Sequence, residues 1–229
     1  FGNILAAYFA KEMGLPVNKL ICASNANKVL TDFIETGVYD RNRDFFTTVS
    51  PSMDILISSN LERLLYILCG RNSDTINEWF GALKDCGKYT VSDDVKAKIN
   101  ELFAAGCCDD DMTKATISET YAEYNYLADT HTAVAINVCN SYEAKTGDKT
   151  PVVIASTASP FKFSKAVLSA VDKENKEYDD EFATVAALED ISSLKAPEQL
   201  AALKGKAVRF NKVTSKEEMA QVVFDMLGI

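Results

Sequence analysis

Leu20-Ile21-Cys22-Ala23 decides the fold class. The run is apolar on both faces, as a strand buried between two layers must be. Upstream, Ile4, Leu5, Tyr8 and Phe9 form one helical stripe over residues 3–13, closed by Gly14 and followed by Pro16. Downstream, Asn25 is placed to cap a helix carrying Val29, Leu30, Phe33 and Ile34, which Gly37 ends. Helix, strand and helix at this spacing are the rhythm of a doubly wound α/β sheet.

The rhythm returns towards the other end. Pro151-Val152-Val153-Ile154-Ala155 is the best strand of the chain, β-branched and apolar on both faces, and a helix is expected over about 162–171. Residues 172–181 hold eight charged side chains in ten and read as a solvated connection. Helices over 183–194 and 198–204 precede a short strand at Ala207-Val208-Arg209-Phe210, and Ser215-x-x-Glu218 forms a capping box for a last helix to Leu227. Between these regions the periodicity is helical. Leu61, Leu64, Leu65 and Leu68 form one stripe over 58–70, Trp79, Phe80 and Leu83 another over 74–86, and Ile99, Leu102 and Phe103 a third over 93–105. Further helices are expected over 113–126 and from the Asp129 cap to Gly147. The expected organisation is an α/β domain supplied by 1–53 and 129–229, with 54–128 a large helical insertion. Three parallel strands are few, since sheets commonly hold about five or six. Either the helices cover the sheet unusually well, or the chain is a piece of something larger.

Composition narrows the function classes. The 229 residues carry 24 Lys plus Arg against 33 Asp plus Glu, a net charge of −9, with 47% hydrophobic residues. That is the balance of a soluble globular protein. Nucleic acid and anionic membrane surfaces both select clustered cations, so neither is expected as a partner. The opening Phe1-Gly2-Asn3-Ile4-Leu5 has neither a cationic region nor a small-residue cleavage site, so no signal peptide is expected, and apolar runs such as residues 4–10 fall well short of the about 20 residues that span a bilayer. A cytoplasmic chain whose true start lies elsewhere is expected. Cysteines 22, 69, 86, 107, 108 and 139 contain no Cys-x-x-Cys pair and are expected to be reduced thiols, mostly in the core; no metal site is expected.

Four segments carry chemistry. Phe1-Gly2-Asn3 runs straight into a helix, so its amides and those of the first turn point together, as an anion such as phosphate requires. Ser156-Thr157-Ala158-Ser159-Pro160 follows the apolar run at 152–155, where ligands of open α/β sheets sit. Its hydroxyls can orient a ring nitrogen, bind an anion or simply cap the next helix. Residues 47–54 and 58–63 offer hydroxyls and an amide ahead of a helix, for a polar substrate or for capping. Asp129-Thr130-His131-Thr132-Ala133 places the only histidine in a first helical turn, where it serves more often as a structural hydrogen-bonder than as a catalyst. No Ser/His/Asp set and no phosphate-binding P-loop is visible.

Taken together, Phe1-Gly2-Asn3-Ile4-Leu5-Ala6-Ala7-Tyr8, Ser50-Pro51-Ser52-Met53-Asp54-Ile55, Ser58-Ser59-Asn60-Leu61-Glu62-Arg63, Asp129-Thr130-His131-Thr132-Ala133-Val134-Ala135 and Thr157-Ala158-Ser159-Pro160-Phe161-Lys162-Phe163 resemble threonine synthase. Their order and spacing are similar to its longer, microbial and fungal branch, from residue 1 to the end. Thr130 departs from the family, which usually has proline there.

The resemblance implies the tryptophan-synthase-β-like fold (pyridoxal-phosphate fold type II), here as a partial parallel sheet with the large helical insertion. It implies conversion of O-phospho-L-homoserine and water to L-threonine and phosphate. It further implies that Phe1, Gly2 and Asn3 are the last three residues of a Gly-Asn-Phe-Gly-Asn loop around the cofactor phosphate, and that Thr157 faces the pyridine nitrogen. A neutral hydroxyl there leaves that nitrogen less protonated. Ser58, Ser59, Asn60 and Arg63 are the expected contributors to the substrate pocket. The family's Schiff-base lysine stands in a Ser-Phe-Lys-Asp type motif that no lysine here matches; Lys162, after the Thr-Ala-Ser-Pro turn, is in the wrong context. That lysine is expected upstream of Phe1, in an N-terminal half that would be this chain's partner. No catalytic residue is therefore assigned within the chain, which alone is expected to be inactive and not to hold pyridoxal 5'-phosphate. Two other readings stand beside this one: another pyridoxal-phosphate lyase of the same fold, such as a threonine or serine dehydratase, and a non-catalytic helical interaction module.

Overall fold

The expected helix–strand–helix opening is present. In the computed structural model α1 (Gly2–Glu12) leads to β1 (Leu20–Ser24) and α2 (Val29–Thr36). Residues 1–172, 174 and 176–229 are described; Lys173 and Asn175, in the charged connection expected over 172–181, lie outside the described residues. Asn25 does not cap α2: the cap is Lys28, and the nearly fully buried Asn25 amide is engaged elsewhere. Gly37 ends α2 in the left-handed region at φ 77°, where a side chain is strained. β2 (Val38–Asp40) follows, then a loop with a 3-10 turn over Pro51–Met53.

The stretch expected as a helical insertion supplies α3 (Leu61–Leu68), α4 (Ser73–Cys86) and α5 (Asp93–Leu102), but also two strands. β3 (Lys88–Thr90) pairs antiparallel with β2. β4 (Phe103–Cys107) pairs parallel with β1, Leu20 opposite Phe103 and Ser24 opposite Cys107. The helix expected over 93–105 therefore stops at Leu102. Phe103-Ala104-Ala105-Gly106-Cys107 lacks β-branched residues, and pairing with β1 overrides its local preference. Next come α6 (Asp110–Tyr124), α7 (Thr130–Thr146), a 3-10 turn over Pro160–Phe163, α8 (Ser164–Val171) and α9 (Glu181–Ser192).

The sheet is the middle layer of three. Leu20 and Cys22 of β1 join Leu5, Tyr8, Val29 and Phe33 in the main core, which continues through Leu65, Trp79 and Ile99. Ile21 and Ala23 point the other way and pack on Val134 and Val138 of α7. Alternation along one strand thus buries both faces under helices, as a doubly wound sheet requires. α7 comes close because β4 has Gly106 beneath it: a Cβ there would stand 2.8 Å from Val138 Cγ1.

Two strands expected from sequence are not in ladders. Pro151–Ala155 runs without a strand partner among the described residues, and Val153 is 96% exposed. A β-branched run becomes a strand only where another strand completes its hydrogen bonds. Residues 197–229 form a separate unit with α10 (Glu198–Ala201), a 3-10 turn over Ala202–Gly205 and α11 (Met219–Leu227). Within it, Val208 and Phe210 are exposed and 207–210 is not a strand. The expected capping box does not close: α11 starts with Glu218 as its cap residue and no side-chain cap bond, while Thr214 Oγ1 donates to Glu218 Oε2 at 3.2 Å. Among the described residues, no helix is long and apolar enough to cross a membrane.

Candidate active site

A cavity of about 720 Å³ runs along the whole of β1. This is the size range of small-molecule sites. Phe1, Gly2 and Asn3 line it, as do Ser52, His131 and Thr157. It is lined by all five β1 residues and by 151–155, so it is a trough beside the strand and not only a crevice beyond its carboxyl end.

The front of α1 has the features of an anion site. The first intrahelical bond runs from Leu5 N–H to the Phe1 carbonyl at 3.0 Å, so the amides of Gly2, Asn3 and Ile4 precede the helical ladder. No side chain caps them. A Cβ on Gly2 would stand 3.3 Å from Asn60 Nδ2, so glycine keeps the backbone side of the turn open.

The wall carrying Ser52 is pinned by a buried polar network. Asn25 Nδ2 donates to Ser50 Oγ at 3.0 Å and Asp54 Oδ1 at 2.7 Å, and Asn27 Nδ2 donates to Asp54 Oδ1 at 3.0 Å. Thr48 N–H donates to the other Asp54 oxygen at 3.0 Å, and Val49 N–H to Asp110 Oδ1 at 3.2 Å. Asn25, Asn27 and Ser50 are almost fully buried, so each polar group removed from water has recovered a partner.

The first turn of α7 forms another wall. Asp129 accepts from the His131 and Thr132 backbone amides at 2.9 and 3.4 Å, an ordinary N-cap. His131 Nδ1 lies 3.2 Å from the same carboxylate, and Ser52 N–H donates to His131 Nε2 at 3.2 Å. A backbone amide needs an acceptor, so the imidazole proton is assigned to Nδ1. The Phe163 ring packs on the imidazole at 4.6 Å. Burial raises the Asp129 pKa, but hydrogen bonds from the His131 and Thr132 side chains and amides outweigh it and hold the carboxyl below its usual range. The Cys22 thiol beneath the trough is fully buried, which pushes its pKa up to about 11. Among the described residues no group of His, Cys, Asp or Glu side chains could hold a metal ion.

Phe1, Gly2, Asn3 and Thr157, far apart in sequence, thus share one cavity. Ser58, Ser59 and Arg63 do not line it. Ser58 is buried at the start of α3, its amide donating to Tyr39 Oη at 2.8 Å, while Ser59 and Arg63 are exposed. Asn60 reaches the site only through its approach to Gly2. Ser24 and Asn27 line the cavity without having been singled out, while Ser52 and His131 line it as members of the 47–54 and 129–133 segments. The Ser-Pro-Ser-Met-Asp and Asp-x-His-Thr segments held two of these four residues, Ser52 and His131; Ser24 and Asn27 lie in neither.

Comparison with known proteins points to one family. A family model described as threonine synthase, C-terminal, matches residues 132–223. Threonine synthase of Saccharomyces cerevisiae is 35% identical over 236 residues, covering 97% of this chain and 46% of that protein. Human threonine synthase-like 1 is 44% identical over 172 residues, covering 75% of this chain and 23% of that protein. The crystal structure of yeast threonine synthase superposes with a TM-score of 0.84 at 32% identity, over 100% of this chain and 46% of that one. The pyridoxal-phosphate-bound threonine synthase of Brucella melitensis gives 0.71 at 38% identity, over 85% and 40% respectively. The fold is therefore that of the threonine synthases, fold type II, with a small parallel sheet between helices. Spanning less than half the length of these relatives, the chain belongs to the threonine synthase family.

Proposed function

We propose that this chain is the carboxyl-terminal portion of a pyridoxal-phosphate-dependent threonine synthase that works in the cytoplasm and converts O-phospho-L-homoserine and water to L-threonine and phosphate. The observation that carries the proposal is the convergence of the Phe1–Asn3 helix start and Thr157 on one cavity. In this reading 1–53 and 129–229 supply the cofactor domain, and 54–128, inserted between them, lends β4 to its sheet.

The residues present fit the cofactor. The amides of Gly2, Asn3 and Ile4, free of helical acceptors and unobstructed by a Cβ at Gly2, suit a phosphate. Thr157 offers a neutral hydroxyl to the pyridine nitrogen, which keeps that nitrogen from being strongly protonated. Bound there, pyridoxal phosphate supplies an electron sink for bond making and breaking on the substrate's carbon chain. The buried Asn25–Asp54 network holds the Ser52 wall in place. Asn60, near Gly2, is the best placed of 58–63 to meet a polar substrate group.

Proton transfer requires an amine that this chain does not supply; Lys162, after the Pro160 turn, lies 5.4 Å over the Phe163 ring. We assign the catalytic lysine to polypeptide that the relatives carry beyond the matched region. The same polypeptide would cover the second edge of β1 and the exposed Val152 and Val153. Purified chain supplied with pyridoxal phosphate and phosphohomoserine should release neither threonine nor phosphate. A longer polypeptide containing both parts should release both, and should leave L-threonine itself undegraded. Turnover by the chain alone, or dehydration of threonine by the longer protein, would overturn the proposal.

A further inference from the structure

Two segments that line the cavity, the Ser52 turn and the Ser156–Thr157 turn, hang on one carboxylate. Asp129, 1% exposed, spends one oxygen on the His131 ring and the other on the Thr132 hydroxyl. His131 continues to Ser52, 79 residues away in sequence, at 3.2 Å. Thr132 Oγ1 lies 3.2 Å from Ser156 Oγ, the neighbour of Thr157. Because the single Thr132 proton goes to Asp129, the Ser156 hydroxyl is the donor in that contact, and Tyr126 Oη in turn donates to Ser156 at 3.4 Å.

Helix capping alone does not require this. The Asp129 carboxylate already caps α7 through two backbone amides. The Pro51–Met53 turn has no side-chain cap of its own, because the Ser50 hydroxyl is taken by Asn25; its free Ser52 amide is satisfied by a ring on another element. A nearly buried imidazole with both nitrogens partnered is therefore the peg for one wall, and Thr132 is the peg for the other.

We infer that Asp129, His131 and Thr132 form a positioning relay that sets the spacing between the Ser52 turn and the Ser156–Thr157 turn, so that displacement of one wall is transmitted to the other. Which ligand occupies the space rests on the threonine synthase proposal; the relay itself does not. Its members act through Ser52 and Ser156, the neighbour of Thr157, and are positioning residues, not catalytic ones.

The single histidine makes the test direct. In 15N-labelled chain, the imidazole nitrogens should show Nδ1 protonated and Nε2 bare and accepting a hydrogen bond. Thr132→Val should speed hydrogen exchange of the Ser52 amide about fivefold to tenfold, the weakening of about one hydrogen bond. The Leu65 amide, in α3, should keep its rate, and Thr132→Ser should restore the Ser52 rate. The relay is overturned by a proton on Nε2, by a Ser52 rate within twofold of wild type in Thr132→Val, or by equal acceleration at Leu65, which would mean general destabilisation. Failure here leaves the family reading standing, and a longer polypeptide without threonine synthase activity leaves the relay standing.

Discussion

Gly106→Ala tests the packing that brings α7 onto the sheet. The added Cβ would stand 2.8 Å from Val138 Cγ1 and 3.5 Å from Cγ2. Carbon atoms rest at about 3.5–4.0 Å, so the deficit is roughly 1 Å. Val138 is 2% exposed and cannot swing aside, since a β-branched residue in a helix holds essentially one rotamer and leaving it costs about 1 kcal/mol. Moving β4 instead strains the bond from Thr31 Oγ1 to the Gly106 carbonyl, 2.8 Å long. Overpacking of this kind costs about 1–3 kcal/mol, and the closeness of the contact puts the expected loss at about 2–3 kcal/mol. Urea unfolding followed by circular dichroism should show a lower midpoint with an unchanged slope. Val138→Ala alone removes two buried methyls and should cost about 1–3 kcal/mol. In that background Gly106→Ala should cost less than about 1 kcal/mol, because the new methyl occupies the vacated space. Additive losses, agreeing within about 0.5 kcal/mol, would refute the contact as the cause.

Two further outcomes follow from the buried ionisable groups. Asp129 has a folded pKa depressed below its unfolded value of about 3.9, so its contribution is present above about pH 4 and is lost as pH falls through the folded value. Asp129→Asn should lower stability at pH 6 and flatten this acid dependence, as urea midpoints between pH 6 and pH 3 would reveal. Cys22 behaves oppositely: its folded pKa, raised to about 11 from 9.0, gives a contribution present below pH 9.0 and lost as pH rises through about 11. At pH 8 the exposed Cys86 and Cys107 should be alkylated by iodoacetamide in the native protein, while Cys22 should react only after unfolding, as peptide mass spectrometry would show.

What the sequence revealed tracks how local each signal is. α7 was legible at both ends because its cap and its stop are its own residues, Asp129 and Gly147, and β1 because four apolar residues sit between two helical stripes. β4 was not legible: alanines suit a helix, and only registration of Phe103–Cys107 on Leu20–Ser24 makes them a strand. Pro151–Ala155 shows the converse, since strong strand chemistry without a partner leaves an extended segment. At the site, Phe1–Asn3 and Thr157 were reachable through motifs, whereas the contact of Ser52 with His131 joins residues 79 apart and leaves no trace in spacing.

Thr130 shows how little the imidazole depends on the residue beside it. It is the first residue of α7, the position where a missing N–H costs nothing, so proline and threonine are equivalent to the helical ladder. They are not equivalent to the ring behind them. Thr130 is fully buried, and its hydroxyl lies 3.3 Å from His131 Nδ1. The Nδ1 proton already points to a carboxylate held in its charged form, and a charged acceptor forms the stronger bond. The hydroxyl is therefore a secondary partner that leaves the tautomer, and with it the acceptor offered to Ser52, unchanged. Asp129, not residue 130, fixes the imidazole.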